Sequence, residues 1–230
     1  MSNSERFLKA YNAIDKALRK QIDERPGSRT LSSPGFSTRI RAAEQKGIIS
    51  RHTATDLHEL TELRNAIVHD TTDLAIAEPH LETVVLIERI LSMLEKPVTV
   101  SQIGSPVSTF DQSDSVANVL RHMGENHFSQ VVVMKDYHIQ VVTTESIALW
   151  LAKQVTEDLV DLRDPLTCVL KYEMKGSFQC VSRNLPVEAA RRRFENGAVG
   201  EGAQLYCLVV TMNGKDTDRA ERIVTPWDFM

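Results

Sequence analysis

Arg64, Asn65 and His69 fall close together in the stretch "ELRNAIVHD", and they are residue types able to act on a phosphodiester. An imidazole that titrates near neutrality can move a proton, and a guanidinium can stabilise the charge that builds on phosphate oxygens. A second candidate set stands near the other end of the chain: Thr225 and Asp228 in "RIVTPWD", with Thr143 and Ser146 in the related "VVTTES". A hydroxyl and backbone N–H groups at a strand-to-helix junction favour an anion, and a nearby carboxylate can accept two hydrogen bonds from a cis-diol.

The first set depends on helical phase. Stepping ~100° per residue from Leu60, the side chains of Leu57, Leu63, Ile67 and Val68 fall within about 80° of it, and Arg64 falls at about +40°, on the apolar face. A guanidinium buried without a partner costs several kcal/mol, so Arg64 is expected to meet a carboxylate in an internal ion pair, a groove or a phosphate. His69 falls about 180° from Leu60, on a stripe with His58, Glu62 and Asn65, and Asn65 and His69 form an i,i+4 pair. An ideal helix thus separates Arg64 and His69 by about 140°. A cleft shared between two copies of the helix brings both to one substrate more readily than a single copy does.

The elements around that helix read as all-α. Phe7, Tyr11, Ile14, Leu18 and Ile22 recur at helical spacing until "RPGS" ends the segment. After a Ser/Pro/Gly-rich loop a short helix is expected from about Thr38 to Lys46, with Gly47 as its stop. The third starts near Thr53 or Thr55. The fourth, from about Ala75, carries Leu81, Val84, Ile87 or Glu88, Leu91 and Leu94 on one stripe and closes at Pro97. His80, after Pro79, reads as a surface residue near a helix start.

Beyond Pro97 the period changes. "SQVVVMKDYHIQVVTTES" is two Val-rich runs around a short "KDY" turn, a β-hairpin followed by a helix. Before it, Val116, Val119, Leu120 and Met123 form a helix face behind the capping residues Ser113 and Asp114. The order strand, helix, strand, strand, helix recurs: "FQCVSRNLPVEAARRRFEN" echoes "STFDQSDSVANVLRHMGEN", and "YCLVVTMNGKDTDRAERIVTPWD" echoes the hairpin with a longer loop. A repeat that cannot cover its own sheet is expected to pair with its copy. The three arginines of "RRRF", residues 191–194, fan out over about 200° of a helix and read as a solvated face.

Residues 97–230 resemble a tandem CBS-domain (cystathionine-β-synthase-type) pair, copy one at about 98–153 and copy two at about 164–230. The strongest match is the T-x-x-D motif Thr225 to Asp228; in copy one Thr143 is followed by Ser146 in place of the Asp. The resemblance implies an adenosine-type nucleotide, such as AMP or ATP, whose phosphate meets the Thr and whose ribose hydroxyls meet the Asp, and it favours the second site. Because the sequence stops at Met230, the final helix of copy two is expected to be largely absent. A ligand-free dimerisation scaffold, in which Pro226 and Asp228 only start a helix turn, is the competing reading.

Residues 1–96, with "RNAIVH" at Arg64 to His69, resemble HEPN domains (higher eukaryote and prokaryote nucleotide-binding) through their R-x4-6-H motif. The resemblance implies a metal-independent endoribonuclease working as a homodimer. His69 would activate the ribose 2′-hydroxyl or protonate the leaving oxygen, Arg64 would stabilise phosphate charge, Asn65 would orient His69 or the substrate, and a 2′,3′-cyclic phosphate end would follow. Many HEPN bundles are non-catalytic, so a binding or adaptor module that docks a protein partner stands beside the nuclease reading.

Composition bounds both. The chain of 230 residues is 42% hydrophobic and 25% charged, values ordinary for a globular protein of two domains. Cys168, Cys180 and Cys207 form no CxxC pair and read as core thiols of a reducing compartment. No leader or ~20-residue apolar run is visible, which predicts a cytoplasmic protein without membrane association. The net charge of −4 excludes a globally basic nucleic-acid binder. Residues 1–51 nevertheless carry about 11 Lys/Arg against about 5 Asp/Glu, so plain RNA binding through that segment is a third reading. No zinc-spaced ligand cluster, Gly-rich phosphate loop or Ser/Cys nucleophile signature is present. The sequence thus predicts an all-α HEPN-like bundle followed by an α/β CBS pair. Its expected function is nucleotide sensing that controls a ribonuclease.

Overall fold

The computed structural model describes residues 1–23, 35–68, 78–156, 160–197 and 204–229. The chain forms two compact units: Met1–Val98 with Pro186–Ala189, and Thr99–Leu185 with Ala190–Met230.

The first unit is helical. Its helices are α1 (Asn3–Asp23), α2 (Phe36–Gln45), α3 (Arg51–Val68) and α4 (Leu81–Glu95). The apolar stripe of α1 is the core: Phe7, Tyr11, Ile14, Leu18 and Ile22 are all buried, packed with Ile40 and Ala43 of α2, Leu57, Leu60 and Ile67 of α3, and Val84, Ile87, Ile90 and Leu94 of α4. Two apolar positions depart from the expected stripes. Leu81 opens α4 and is exposed, since a residue in a first turn has fewer neighbours to pack against, and Val68, at the margin of the α3 stripe, is exposed as well. The fourth seam runs through Ile90, with Leu91 only flanking it. Gly47, at φ +64°, ends α2 as expected: the Ile48 N–H donates to the Ala43 carbonyl, a left-handed cap that glycine adopts without strain.

Polar contacts fix how these helices meet. The Glu78 carboxylate accepts from the Asn3 N–H at 2.7 Å and from the Ser4 hydroxyl, satisfying donors that the start of α1 leaves open. Arg6 grips Glu88 with two hydrogen bonds of 3.0 and 2.7 Å, and holds that carboxyl below its ordinary range. Arg39 of α2 is buried and reaches Asp15 of α1 at 2.6 Å.

The second unit is built from two copies of a β-α-β-β plan. In the first, β1 (Ser105–Pro106) and β2 (Thr109–Asp111) precede α5 (Val116–Asn126), β3 (Gln130–Lys135), β4 (His138–Thr143) and α6 (Thr144–Thr156). In the second, α7 (Leu166–Val169) leads into β5 (Phe178–Ser182), α8 (Val187–Glu195), β6 (Cys207–Thr211), β7 (Ala220–Val224) and a 3-10 turn, Pro226–Phe229. β2 pairs parallel to β3, and β5 parallel to β6, while β3–β4 and β6–β7 are antiparallel hairpins. The first hairpin turns on Asp136 and Tyr137, both at positive φ, the two-residue turn whose twist suits a hairpin. The N-cap of α5 is Ser115, whose hydroxyl accepts from Asn118 N–H, rather than Ser113 or Asp114, which are spent one turn earlier on Asp111.

The central strand β3 of one sheet and β6 of the other are covered on both faces, which is why they read as nearly unbroken apolar runs. Val132, Ile139 and Val141 of one sheet meet Cys207, Val209 and Ala220 of the other. The opposite faces take helices: Val131 and Val133 pack with Val119, Met123, Ile147 and Trp150, and Leu208 and Val210 with Ala190 and Phe194. The segment leading into each repeat is exchanged. Val100 and Ile103 pack into the core of the second repeat and β1 pairs with β7, whereas Leu166 and Val169 pack into the first.

Gly104 makes that exchange possible. Its φ is +73°, and a Cβ there would lie 2.4 Å from the Ile223 carbonyl oxygen. Gly104→Ala combines left-handed strain with a backbone clash, and is expected to cost at least about 2 kcal/mol. Urea unfolding should show this as a lower midpoint with an unchanged slope.

Candidate functional site

At the end of β7 the chain folds into a closed four-residue turn. The Thr225 N–H and hydroxyl both donate to Asp228 Oδ2, at 2.7 and 2.9 Å, and the Asp228 N–H donates back to the Thr225 carbonyl. Asp228 Oδ1 accepts no hydrogen bond among the described residues, and Trp227, in the middle of the turn, is 75% exposed.

The exchanged segment brings Ser105 to Ser108 beside this turn through the β1–β7 pairing of Ser105 with Ile223 and Pro106 with Arg222. A third segment arrives at the end of α5, where His127 takes a left-handed conformation, φ 55°, and turns the chain through Phe128, Ser129 and Gln130 into β3. The three segments enclose a cleft of about 210 Å³. His122 also lines it, with its ring 5.6 Å from Phe128 and 5.2 Å from Phe110.

The chemistry of the lining is specific. Trp227 and Phe128 offer aromatic faces to a flat base. Ser105, Ser108, Ser129 and Gln130 offer hydrogen bonds, and Asp228 Oδ1 is an open acceptor for a hydroxyl pair. The described lining contains neither Lys nor Arg, so an anion here is met by hydroxyls, backbone N–H groups and imidazoles.

Thr143 and Ser146 are placed differently. They are 5% and 1% exposed and bonded to each other, the Ser146 N–H to Thr143 Oγ1 at 3.1 Å and the Thr143 N–H to Ser146 Oγ at 3.0 Å. The arginines of 191–194 are less solvated than a fanned-out run suggests. Arg193 is half-buried and donates to Gln179 at 3.1 Å, its pKa lowered by desolvation, and Arg191 lies over the Phe229 ring at 5.6 Å and donates to the Phe229 carbonyl.

In the helical unit Arg64 is half-buried and Asn65 exposed. The Arg64 guanidinium reaches Asn65 Oδ1 at 3.5 Å, and among the described residues no carboxylate pairs with it. Arg64 lies near Tyr11, whose hydroxyl is raised chiefly by burial and donates to Thr61. The buried internal ion pair that the sequence offered as one fate for Arg64 is formed instead by Arg39, a position that no sequence pattern singled out. His69 lies outside the described residues, so the spacing of Arg64 and His69 is not part of this geometry. Among the described residues no group of three or more His, Cys, Asp or Glu is placed to hold a metal ion, and no helix is long and apolar enough to cross a membrane.

No protein-family model matches the chain, and no curated protein matches its sequence. Solved structures with a similar backbone include a putative acetoin utilization protein (AcuB) from Vibrio cholerae, 14% identical over 58% of this chain and 87% of that one, with a TM-score of 0.43. CbpB, in complex with c-di-AMP, is 17% identical over 62% of this chain and 89% of its own, TM-score 0.43. A CBS domain protein from Pyrobaculum aerophilum, complexed with AMP, is 15% identical over 57% of this chain and 89% of its own, TM-score 0.39.

The free cysteines give this unit a simple test of its packing. Desolvation pushes the Cys180 thiol up to about 12 and raises Cys207, which is fully buried. Only the thiolate is nucleophilic, so at pH 8 iodoacetamide should leave both unmodified in the folded protein and label them once urea unfolds it, as read by peptide mass spectrometry.

Proposed function

We propose that residues 97–230 form a CBS-type pair that senses an adenine nucleotide at the cleft beside Thr225 and Asp228. The observation that carries this reading is the convergence of three segments on that turn: a base-stacking aromatic, a set of hydroxyls and one free carboxylate oxygen lie within a single cleft. Without Lys or Arg in the described lining, a monophosphate such as AMP suits the cleft better than ATP, because each further phosphate adds charge that hydroxyls and imidazoles compensate poorly.

Nucleotide binding at the cleft should quench Trp227 fluorescence. Asp228→Ala removes the acceptor for a ribose diol and is expected to weaken AMP binding at least tenfold, with Thr225→Val weakening it by a similar factor. Unaltered affinity in Asp228→Ala would move the ligand elsewhere or leave the pair as a dimerisation scaffold.

A second reading concerns the helical unit. Arg64 without a described carboxylate partner, beside Asn65, supports a role toward an external phosphate, and we propose that residues 1–96 act as a HEPN-like, metal-independent endoribonuclease in a homodimer under control of the nucleotide. Control requires that the nucleotide bind two arrangements of the dimer with different affinity. The alternative is a non-catalytic module that docks a protein partner. Incubation of labelled RNA in excess EDTA, beside His69→Ala and with or without AMP, separates them. Cleavage that leaves cyclic phosphate ends and vanishes in the variant supports the nuclease, and intact RNA under every condition removes it.

A further inference from the structure

The strand registers place the two repeats in correspondence. In the first hairpin Gln130 faces Thr143, and in the second Leu208 faces Val224, so that one step outward Cys207 faces Thr225. Thr143 thus corresponds to Thr225, Glu145 to Trp227, Ser146 to Asp228 and Ser129 to Tyr206. The parallel pairs Thr109 with Val132 and Cys180 with Val209 extend the correspondence to Pro106 and Ser177.

Position by position, the first-repeat site carries bulky or buried groups where the second carries exposed ones. Ser129 is exposed, but Tyr206 places a phenol at the corresponding point and donates its hydroxyl to Glu145 at 2.5 Å. Pro106 is exposed, but Ser177 is fully buried, its hydroxyl without a partner among the described residues. The carboxylate lost where Ser146 replaces Asp returns from a distant part of the chain. Glu173, just after the 3-10 turn Leu170–Tyr172 of the exchanged segment, accepts from the Thr143 hydroxyl at 3.0 Å and from the Thr143 N–H at 3.3 Å, both at Oε2. These are the same two donors that Asp228 Oδ2 accepts from Thr225.

Taking the second repeat as the nucleotide site, we infer that its counterpart in the first repeat is held shut by the chain's own Glu173. Glu173 stands in for the missing motif carboxylate, so the pair takes one nucleotide per chain. An anion entering the first site would meet two carboxylates, Glu173 on Thr143 and Glu145 on Tyr206, where the second site presents Asp228 alone. The Asp-to-Ser change is then a substitution compensated in space, and it makes the two sites unequal.

Two measurements on the full chain test this. Thermal melting of the wild type, Glu173→Ala, Ser146→Asp and the double variant should show a loss of several degrees for Glu173→Ala. Ser146→Asp should restore more than half of that loss in the Glu173→Ala background, because the motif carboxylate can take the same two donors. It should lower the melting temperature in the wild-type background, where two carboxylates compete. Glu173→Ala melting like the wild type, or no rescue by Ser146→Asp, overturns the closure. Calorimetric titration with AMP should give one nucleotide per chain, lost in Asp228→Ala, and two per chain overturns the closure. If AMP does not bind at all, the nucleotide reading fails, and the melting cycle still decides whether Glu173 takes the place of the motif carboxylate at Thr143.

Discussion

A short sheet with apolar side chains on both faces needs a cover on each, and one helix layer supplies only half of it. This constraint organises residues 99–229. Val132, Ile139 and Val141 find their second cover in Cys207, Val209 and Ala220 of the other repeat, and each repeat borrows its leading segment from the chain beside its partner. Once the leading segments are exchanged, the end of each second hairpin strand lies beside backbone from the other copy. That juxtaposition is where a ligand site can form.

The same exchange gives opposite results at its two ends. Beside Thr225 it delivers Ser105 to Ser108, small side chains that leave a cleft. Beside Thr143 it delivers Glu173, long enough to take both donors of the threonine, while Tyr206 fills the space that Ser129 leaves at the other site. A near-symmetric backbone thus carries an asymmetric chemistry, decided by about three side chains.

The helical unit uses its charges differently. Arg6–Glu88 ties α1 to the distant α4 and Arg39–Asp15 ties α1 to α2, and Arg39 is nearly enclosed, so its charge depends on a hydrogen-bonded partner. Arg64, on a comparable apolar stripe, keeps a half-exposed guanidinium bonded to Asn65. A long side chain at the margin of a stripe can carry its head outward to water while its stem packs, which the helical phase of Cα positions does not reveal.

Much of the architecture was legible in the sequence because it rests on local periodicity. The α1 stripe from Phe7 to Ile22, the Gly47 stop, the hairpin of two Val-rich runs with its longer-looped echo and the internal repeat all follow from side-chain spacing and turn chemistry, and the pairing of two half-covered sheets follows from the repeat. The Thr225–Asp228 turn was likewise visible as a motif. The tertiary structure alone decided which segment lies opposite it, because the β1–β7 pairing joins residues more than a hundred positions apart and leaves no local pattern. It alone showed that Arg39 takes the buried ion pair, and that Glu173 meets Thr143 across 30 residues. A carboxylate that replaces another in space carries no trace in spacing, since the hydrogen bond depends on where two backbones are brought together and not on how far apart they lie along the chain.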